Sequence, residues 1–236
     1  MQNHTFEFFF HPGWACGSSF FEVWSSQFEE WGNLQIFDRG YFLQEKESSY
    51  YEKVKSIGTG EGDVQRVVMT HSLGLHLVPE QLLQTANWIV ILSGFAFFHP
   101  RKEKSRRKSQ QIIRKMLKRL REYPQDTVEK FYQNCFFPQN STLVTPLTLD
   151  VEQLYHDLEF LNVHVWEAFE GIDHKDVLIL HGEEDQIVST EQAIILHLQI
   201  PKSTLTIIPN AGHALPLTHA EECYSEIKNI ILKTAV

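Results

Sequence analysis

Val67-Val68-Met69-Thr70-His71-Ser72-Leu73-Gly74 is the stretch of sequence that decides the fold. The apolar run at its start is typical of a buried strand, and the residues after Gly74 follow a helical pattern. Ser72 therefore lies at a strand-to-helix turn, of the kind in which a strained backbone lifts a serine hydroxyl clear of the sheet. Serine before glycine is also common in ordinary turns, so Ser72 indicates a nucleophile only if partners for it occur elsewhere.

An acid and a histidine in suitable positions follow Ser72 along the chain. Val177-Leu178-Ile179-Leu180 is a continuously apolar strand, and Asp185 comes on the loop after it. A second apolar strand, Leu205-Thr206-Ile207-Ile208, leads to a loop that contains His213. Since ligands of open α/β sheets bind at the carboxyl ends of the strands, the three residues are expected to converge there. The order serine, acid, histidine is that of the α/β-hydrolases and predicts a catalytic triad.

The N-terminal region supplies a candidate oxyanion hole. The strand Phe6-Glu7-Phe8-Phe9-Phe10 ends in His11-Pro12-Gly13-Trp14, which matches the loop that faces the nucleophile in α/β-hydrolases. The backbone amides of Trp14 and Leu73 are the predicted donors to the oxyanion. The sequence thus predicts an α/β-hydrolase fold, with a mostly parallel central sheet flanked by helices.

One residue of the turn departs from the usual pattern. Thr70 stands two positions before Ser72, where the strained backbone usually has glycine or another small residue. This departure favours one alternative to an enzyme, a ligand sensor or interaction protein built on a hydrolase fold. A general short-chain carboxylesterase or thioesterase is a second alternative, because it would share every predicted catalytic residue.

The composition indicates one domain with one insertion. The chain has 236 residues, of which 42% are hydrophobic, enough for one substantial core. No apolar run is long enough to span a bilayer and Met1-Gln2-Asn3-His4 does not resemble a secretory signal, so we expect a cytoplasmic monomer without membrane contact. Three cysteines without metal-ligand spacing, and no zinc-like histidine pattern, predict neither a metal nor another cofactor.

Positive charge is concentrated in one segment. The net charge is −9, yet residues 101–122 contain eleven of the 21 Lys and Arg residues, against only Glu103 and Glu122. An acidic protein with one basic patch is expected to bind an acidic partner rather than nucleic acid. Apolar residues recur in this segment at helical spacing, at Ile112, Ile113, Met116, Leu117 and Leu120. The opposite face of the predicted amphipathic helix carries Arg114, Lys118 and Arg121.

The basic segment belongs to a predicted lid. It follows the strand Trp88-Ile89-Val90-Ile91-Leu92, where α/β-hydrolases insert a helical cap, so we predict a core of residues 1–97 and 171–236 with a lid of residues 98–170. About four short helices are expected in this lid, with helical patterns at 109–122, 126–134 and 150–169. Its aromatic residues either line an apolar acyl channel beneath it or, as is more common in a small helical lid, form the core of the lid; they are Phe97, Phe98, Phe131, Phe136, Phe137 and Phe160.

These motifs together resemble one group of enzymes. The chain is similar to the biotin-synthesis pimeloyl-acyl-carrier-protein methyl ester esterases in Gly13-Trp14, Ser72-Leu73-Gly74, the turn from Gly182 to Asp185, Asn210-Ala211-Gly212-His213 and the arginine-rich lid. The resemblance implies that the protein hydrolyses the methyl ester of a pimeloyl chain carried on acyl carrier protein. It further implies Ser72, Asp185 and His213 as triad, the Trp14 and Leu73 amides as oxyanion hole, and Arg114, Lys118 and Arg121 as contacts to the acidic carrier.

Overall fold

A six-stranded sheet forms the centre of the molecule. The computed structural model describes residues 5–42, 64–141, 143–167, 171–172 and 175–234. The strands are β1 Thr5–His11, β2 Gly32–Ile36, β3 Val64–His71, β4 Trp88–Leu92, β5 Asp176–Gly182 and β6 Thr204–Ile208. Their order in the sheet is β2-β1-β3-β4-β5-β6, and each neighbouring pair is parallel. The predicted parallel sheet is therefore confirmed.

Helices cover both faces of the sheet. In the described residues they are α1 Glu22–Glu29, α2 Gly74–Leu77, α3 Glu80–Thr85, α4 Glu103–Glu122, α5 Pro124–Phe136, α6 Val151–Val163, α7 Thr190–Gln199, α8 Leu215–Thr218 and α9 Ala220–Thr234, with a short 3₁₀ helix at Ser18–Phe21. Over the same residues, no helix has both the length and the apolar character needed to cross a bilayer.

The four inner strands, β1, β3, β4 and β5, are mostly buried on both sides because their side chains alternate between two cores. In β1, Phe8 and Phe10 enter one cluster, while Phe9 between them enters the other. β4 repeats this pattern, since Val90 packs with the first cluster and Ile91 with the second. Burial of each such side chain stabilises the fold by about 1.5–3 kcal/mol, which explains why continuous apolar runs mark these strands.

Three helices, α4, α5 and α6, lie between β4 and β5 in sequence, in the segment predicted to be the lid, and this segment is called the lid below. α4 begins at Glu103, six residues before the predicted start, and the described residues of the lid contain three helices rather than about four. The helix predicted to reach residue 169 ends at Val163. It ends there because Val165 pairs with Phe97 in an antiparallel bridge, which returns the chain to the core in extended conformation. Residues 168–170, at the predicted end of the lid, lie outside the described part of the chain.

A buried ion pair ties the lid to the core. The guanidinium of Arg39, after β2, donates two hydrogen bonds of 2.8 Å to the Asp157 carboxylate on α6. The Tyr41 hydroxyl donates a third, of 2.6 Å. Burial, together with the nearby Asp157 charge, raises the pKa of Tyr41 well above its ordinary value, so the phenol stays protonated and can donate this hydrogen bond. These bonds tie α6 to the segment that follows β2.

We expect Asp157→Ala to lower the free energy of unfolding by about 3 kcal/mol, because removing one partner of a buried pair costs far more than removing a surface pair. Urea denaturation followed by circular dichroism measures the change. Glu103→Gln is the matched control, since Glu103 pairs with Arg107 on an exposed helix face and its loss should cost less than about 0.5 kcal/mol. Equal losses in the two variants would contradict the role given to the buried pair.

Candidate active site

Ser72 occupies a strained turn between β3 and α2. Its φ of 52° lies in the left-handed region that side chains other than glycine seldom adopt. Gly74 makes the turn possible, because a Cβ at this position would stand 2.1 Å from the carbonyl oxygen of His11. Thr70 does not prevent the turn: it is buried within β3, opposite His11 and Ile91 in the neighbouring strands. The predicted elbow is present in spite of this residue.

The three residues of the predicted triad are brought together by the sheet. His213 Nε2 lies 2.9 Å from Ser72 Oγ, and His213 Nδ1 lies 2.7 Å from Asp185 Oδ2. The imidazole of His213 and the carboxylate of Asp185 are fully buried, and Ser72 retains only 6% of its exposed surface. These distances form a continuous hydrogen-bonded chain from the carboxylate to the serine hydroxyl.

The Asp185 carboxylate is held in its ionised form. Burial alone would raise its pKa, but the nearby His213 and His181 and the hydrogen bonds it accepts hold the pKa below the ordinary value. Its second oxygen, Oδ1, accepts the backbone amides of Ile187 and Val188, each at 2.8 Å. An ionised Asp185 keeps a proton on His213 Nδ1, which leaves Nε2 as the acceptor that faces Ser72.

Two side chains that the sequence did not indicate hold the backbone of His213. His71 Nε2 donates to the carbonyl oxygen of His213 at 2.9 Å, and Ser93 Oγ donates to the same oxygen at 3.1 Å. Burial lowers the pKa of His71 to about 3, so the ring is neutral over the physiological range. Two donors, one at the end of β3 and one directly after β4, therefore hold the backbone of His213 in place.

The lid also supports the His213 loop. The amide of Ala214 donates to the carbonyl of Cys135 at the end of α5, at 2.9 Å. Gly212 packs so closely against the same segment that a Cβ there would stand 1.9 Å from the Phe137 carbonyl oxygen. The position of His213 therefore depends on a lid helix as well as on β6.

The predicted oxyanion loop lies against Ser72. A Cβ on Gly13 would stand 2.9 Å from the Ser72 Cβ, so this loop can approach the serine only with glycine in that position. The Trp14 indole donates to the carbonyl of Leu154 on α6 at 2.8 Å, which anchors the loop. Within the described residues, the amides of Trp14 and Leu73 donate to no backbone carbonyl. Both residues line the same cavity as Ser72.

A cavity of about 360 Å³ extends from Ser72 up between the lid helices. Its walls are mostly apolar, and its volume is at the lower end of the range of small-molecule sites, about 300–1,000 Å³. Of the six aromatic residues expected to line it, only Phe98 and Phe131 do. The other four are placed elsewhere: Phe97 and Phe136 pack in the sheet cores, Phe160 stacks on His164 and Phe137 is exposed at the surface.

The cations chosen from the sequence do not border this cavity. Arg114, Lys118 and Arg121 are exposed and surround a separate groove on the outside of the lid. The Arg121 guanidinium lies 3.9 Å above the centre of the Tyr155 ring in that groove. Arg119 and Lys130 line the cavity instead, and the sequence did not single them out. The signal for Arg119 was its position three residues after Met116, on the edge of the apolar stripe.

Comparisons with known proteins identify the fold. No family model matches the sequence, and no curated protein matches it either. Among solved structures, the chain is similar to an esterase from Exiguobacterium antarcticum, with a TM-score of 0.76 and 14% identity over 96% of this chain and 92% of that one. It is also similar to MenH from S. aureus, with a TM-score of 0.72 and 14% identity over 99% of this chain and 95% of that one.

A third similar structure is a bromoperoxidase from Bacillus anthracis, with a TM-score of 0.70 and 14% identity over 97% of this chain and 92% of that one. The differing names of these proteins, at such low identity, show that the likeness concerns the fold alone. The chain has the α/β-hydrolase fold, as the sequence predicted.

We expect acid to destabilise the protein in part through His71. Its pKa is about 3 in the folded chain and about 6.5 when unfolded, so below pH 6.5 the unfolded chain binds a proton that the folded chain does not. At pH 5 this difference removes about 2 kcal/mol of stability. His71→Gln keeps a donor near His213 and does not titrate, so the stability that it loses between pH 7 and pH 5 should be smaller by about that amount. Urea unfolding at the two pH values measures it; equal acid sensitivity would contradict the prediction.

Proposed function

We propose that this protein is a serine carboxylesterase. The observation that carries the proposal is the buried chain of hydrogen bonds from Asp185 through His213 to Ser72, at 2.7 and 2.9 Å, which opens onto a cavity. The strained φ of Ser72 adds support, because a left-handed serine at a strand end is typical of nucleophiles in this fold. The ionised Asp185 and the two available amides supply the other parts that ester hydrolysis requires.

The mechanism follows from these groups. His213 Nε2 accepts the proton of the Ser72 hydroxyl as the oxygen attacks the ester carbonyl, and Asp185 stabilises the imidazolium that forms. The Trp14 and Leu73 amides stabilise the tetrahedral oxyanion, by about 3 kcal/mol per donor in comparable sites. The alcohol leaves with the proton from His213, and a water molecule deprotonated by His213 then releases the carboxylic acid from Ser72.

We further propose the methyl ester of pimeloyl-acyl carrier protein as the substrate. The mostly apolar walls of the cavity suit an aliphatic acyl chain, and its modest volume suits a single chain. The exposed groove of Arg114, Lys118 and Arg121 offers positive charge to an acidic carrier. Because this groove is separate from the cavity, carrier docking and catalysis would use different surfaces of the lid.

The first test is Ser72→Ala, which we expect to abolish hydrolysis of a short p-nitrophenyl ester while leaving the circular dichroism spectrum unchanged. Only the hydroxyl is lost, and a methyl group fits the same turn. Release of p-nitrophenol in the pre-steady state gives a further check, since the wild type should show a burst equal to the enzyme concentration. Wild-type turnover by the variant would rule out Ser72 as the nucleophile.

The second test concerns the acid. Asp185→Asn keeps the shape of the side chain but no longer compensates the charge on His213, and we expect kcat to fall by about 10⁴, as in other triads of this type. Glu184→Gln is the matched control, because Glu184 is the exposed neighbour in the same turn. A large loss from Glu184→Gln, with Asp185→Asn nearly active, would contradict the assignment.

The third test concerns the carrier. Changing Arg114, Lys118 and Arg121 together to Glu should lower kcat/KM for the carrier-bound methyl ester severalfold relative to a p-nitrophenyl ester. The effect should fade with salt, because the Debye length shortens from about 10 Å at 0.1 M to about 3 Å at 1 M. A ratio of the two activities that neither the triple variant nor salt changes would show that the groove does not bind the carrier.

A further inference from the structure

One face of each of two lid helices looks into the cavity. Residues spaced by three or four positions form these faces, as helix geometry requires. On α4 they are Ser109, Ile112, Ile113, Met116 and Arg119, and on α5 they are Thr127, Lys130, Phe131 and Asn134. Arg119 lies in the last turn of α4, whereas Lys130 lies midway along α5.

The two cations share one carboxylate. Arg119 and Lys130 both form ion pairs with Asp126, and the Lys130 Nζ lies 2.8 Å from Asp126 Oδ1. The hydrogen bonds from Lys130 and then from Arg119 lower the pKa of Asp126, so the carboxylate is ionised at neutral pH. Two cations and one anion leave this cluster with one positive charge in excess.

The two cations line the same cavity as Ser72. Ser72, Trp14 and Leu73 form the core side of the cavity, whereas Arg119 and Lys130 are on the lid side. Apolar side chains such as Met116 and Leu158 line the same cavity. An ester bound at Ser72 would therefore share one mostly apolar cavity with the two cations.

We propose that the cavity binds esters whose acyl chain carries one anionic group at the end remote from the ester, with Arg119 and Lys130 as the residues that select it. The proposal rests on the esterase function and names an alternative to the carrier-bound ester for the same site, because the acyl chain of that ester ends in a neutral thioester rather than an anion. A carboxylate or a phosphate monoester has the required chemistry, because both accept charge-assisted hydrogen bonds from guanidinium and ammonium groups. Asp126 opposes such an anion, so it tempers the selectivity of the site.

The test compares half esters with diesters. Monomethyl esters of straight-chain dicarboxylic acids carry one terminal carboxylate, and the dimethyl esters of the same acids are nearly isosteric and neutral. A third series, methyl esters with a terminal phosphate on the same chains, distinguishes the two kinds of anion. Methanol release gives kcat/KM for each ester, and the measured quantity is the ratio of the anionic ester to its diester.

Opposite changes in charge should move this ratio in opposite directions. We expect Arg119→Gln with Lys130→Gln to lower the ratio about fivefold, and Asp126→Asn to raise it by a similar factor. The expected changes are modest because water weakens the interactions of half-exposed charges. In 1 M NaCl the wild-type ratio should approach that of the double variant. Lys104→Gln with Lys115→Gln is the matched control: both lysines are exposed on the same helix away from the cavity, so the ratio should not change.

Binding of the same esters is measured in parallel by calorimetry, with Ser72→Ala in every variant so that the esters are bound without being hydrolysed. If the wild type hydrolyses no ester but binding favours the half ester through Arg119 and Lys130, the esterase function is wrong and the anion site stands. If both esters are hydrolysed at a ratio that neither the double variant nor Asp126→Asn changes, the anion site is wrong and the esterase function stands. If the wild type neither hydrolyses the esters nor binds the half ester selectively, both the esterase function and the anion site are wrong.

Discussion

The contact between Gly74 and the carbonyl groups of His11 and Pro12 is the constraint on which the rest of the site depends. A single Cβ at position 74 would stand 2.1 Å from the His11 oxygen and 2.9 Å from the Pro12 oxygen. Its absence lets the end of β3 turn sharply beneath the end of β1, so Ser72 and the loop that contains Gly13 are placed by one close approach of two backbones. The other loops of the site are then assembled around this pair of strand ends.

Most of the sheet could be predicted from sequence because burial on both faces leaves a continuous apolar run. β2, Gly32–Ile36, left no such run, since it is a half-buried edge strand, and it was not predicted. The lid helices were predicted in kind, but their ends were not. α6 stops at Val163 because of the bridge between Phe97 and Val165, and a contact between residues so far apart leaves no local pattern.

The residues of the site also fall into those that the sequence could predict and those that it could not. Ser72, Asp185 and His213 could be predicted because each follows an apolar stretch of strand, and the carboxyl ends of parallel strands meet at one edge of the sheet. The donors behind His213 could not, since His71 and Ser93 meet its carbonyl only through the packing of three strand ends. Charge counting found the basic helix, but which of its cations enter the cavity depends on the rotation of that helix about its axis, which sequence patterns define only coarsely.

The support that α5 gives to the His213 loop has a consequence for the evolution of this protein. The Ala214 amide bonds to the Cys135 carbonyl, and Gly212 admits no side chain beside Phe137. The lid and the loop that carries His213 therefore contact each other through backbone atoms. Exchange of the whole lid for that of another protein with this fold would displace His213 unless the new segment reproduced this contact. Changes in what the cavity admits are accordingly expected to arise by substitutions on the inner faces of α4 and α5 rather than by replacement of the lid.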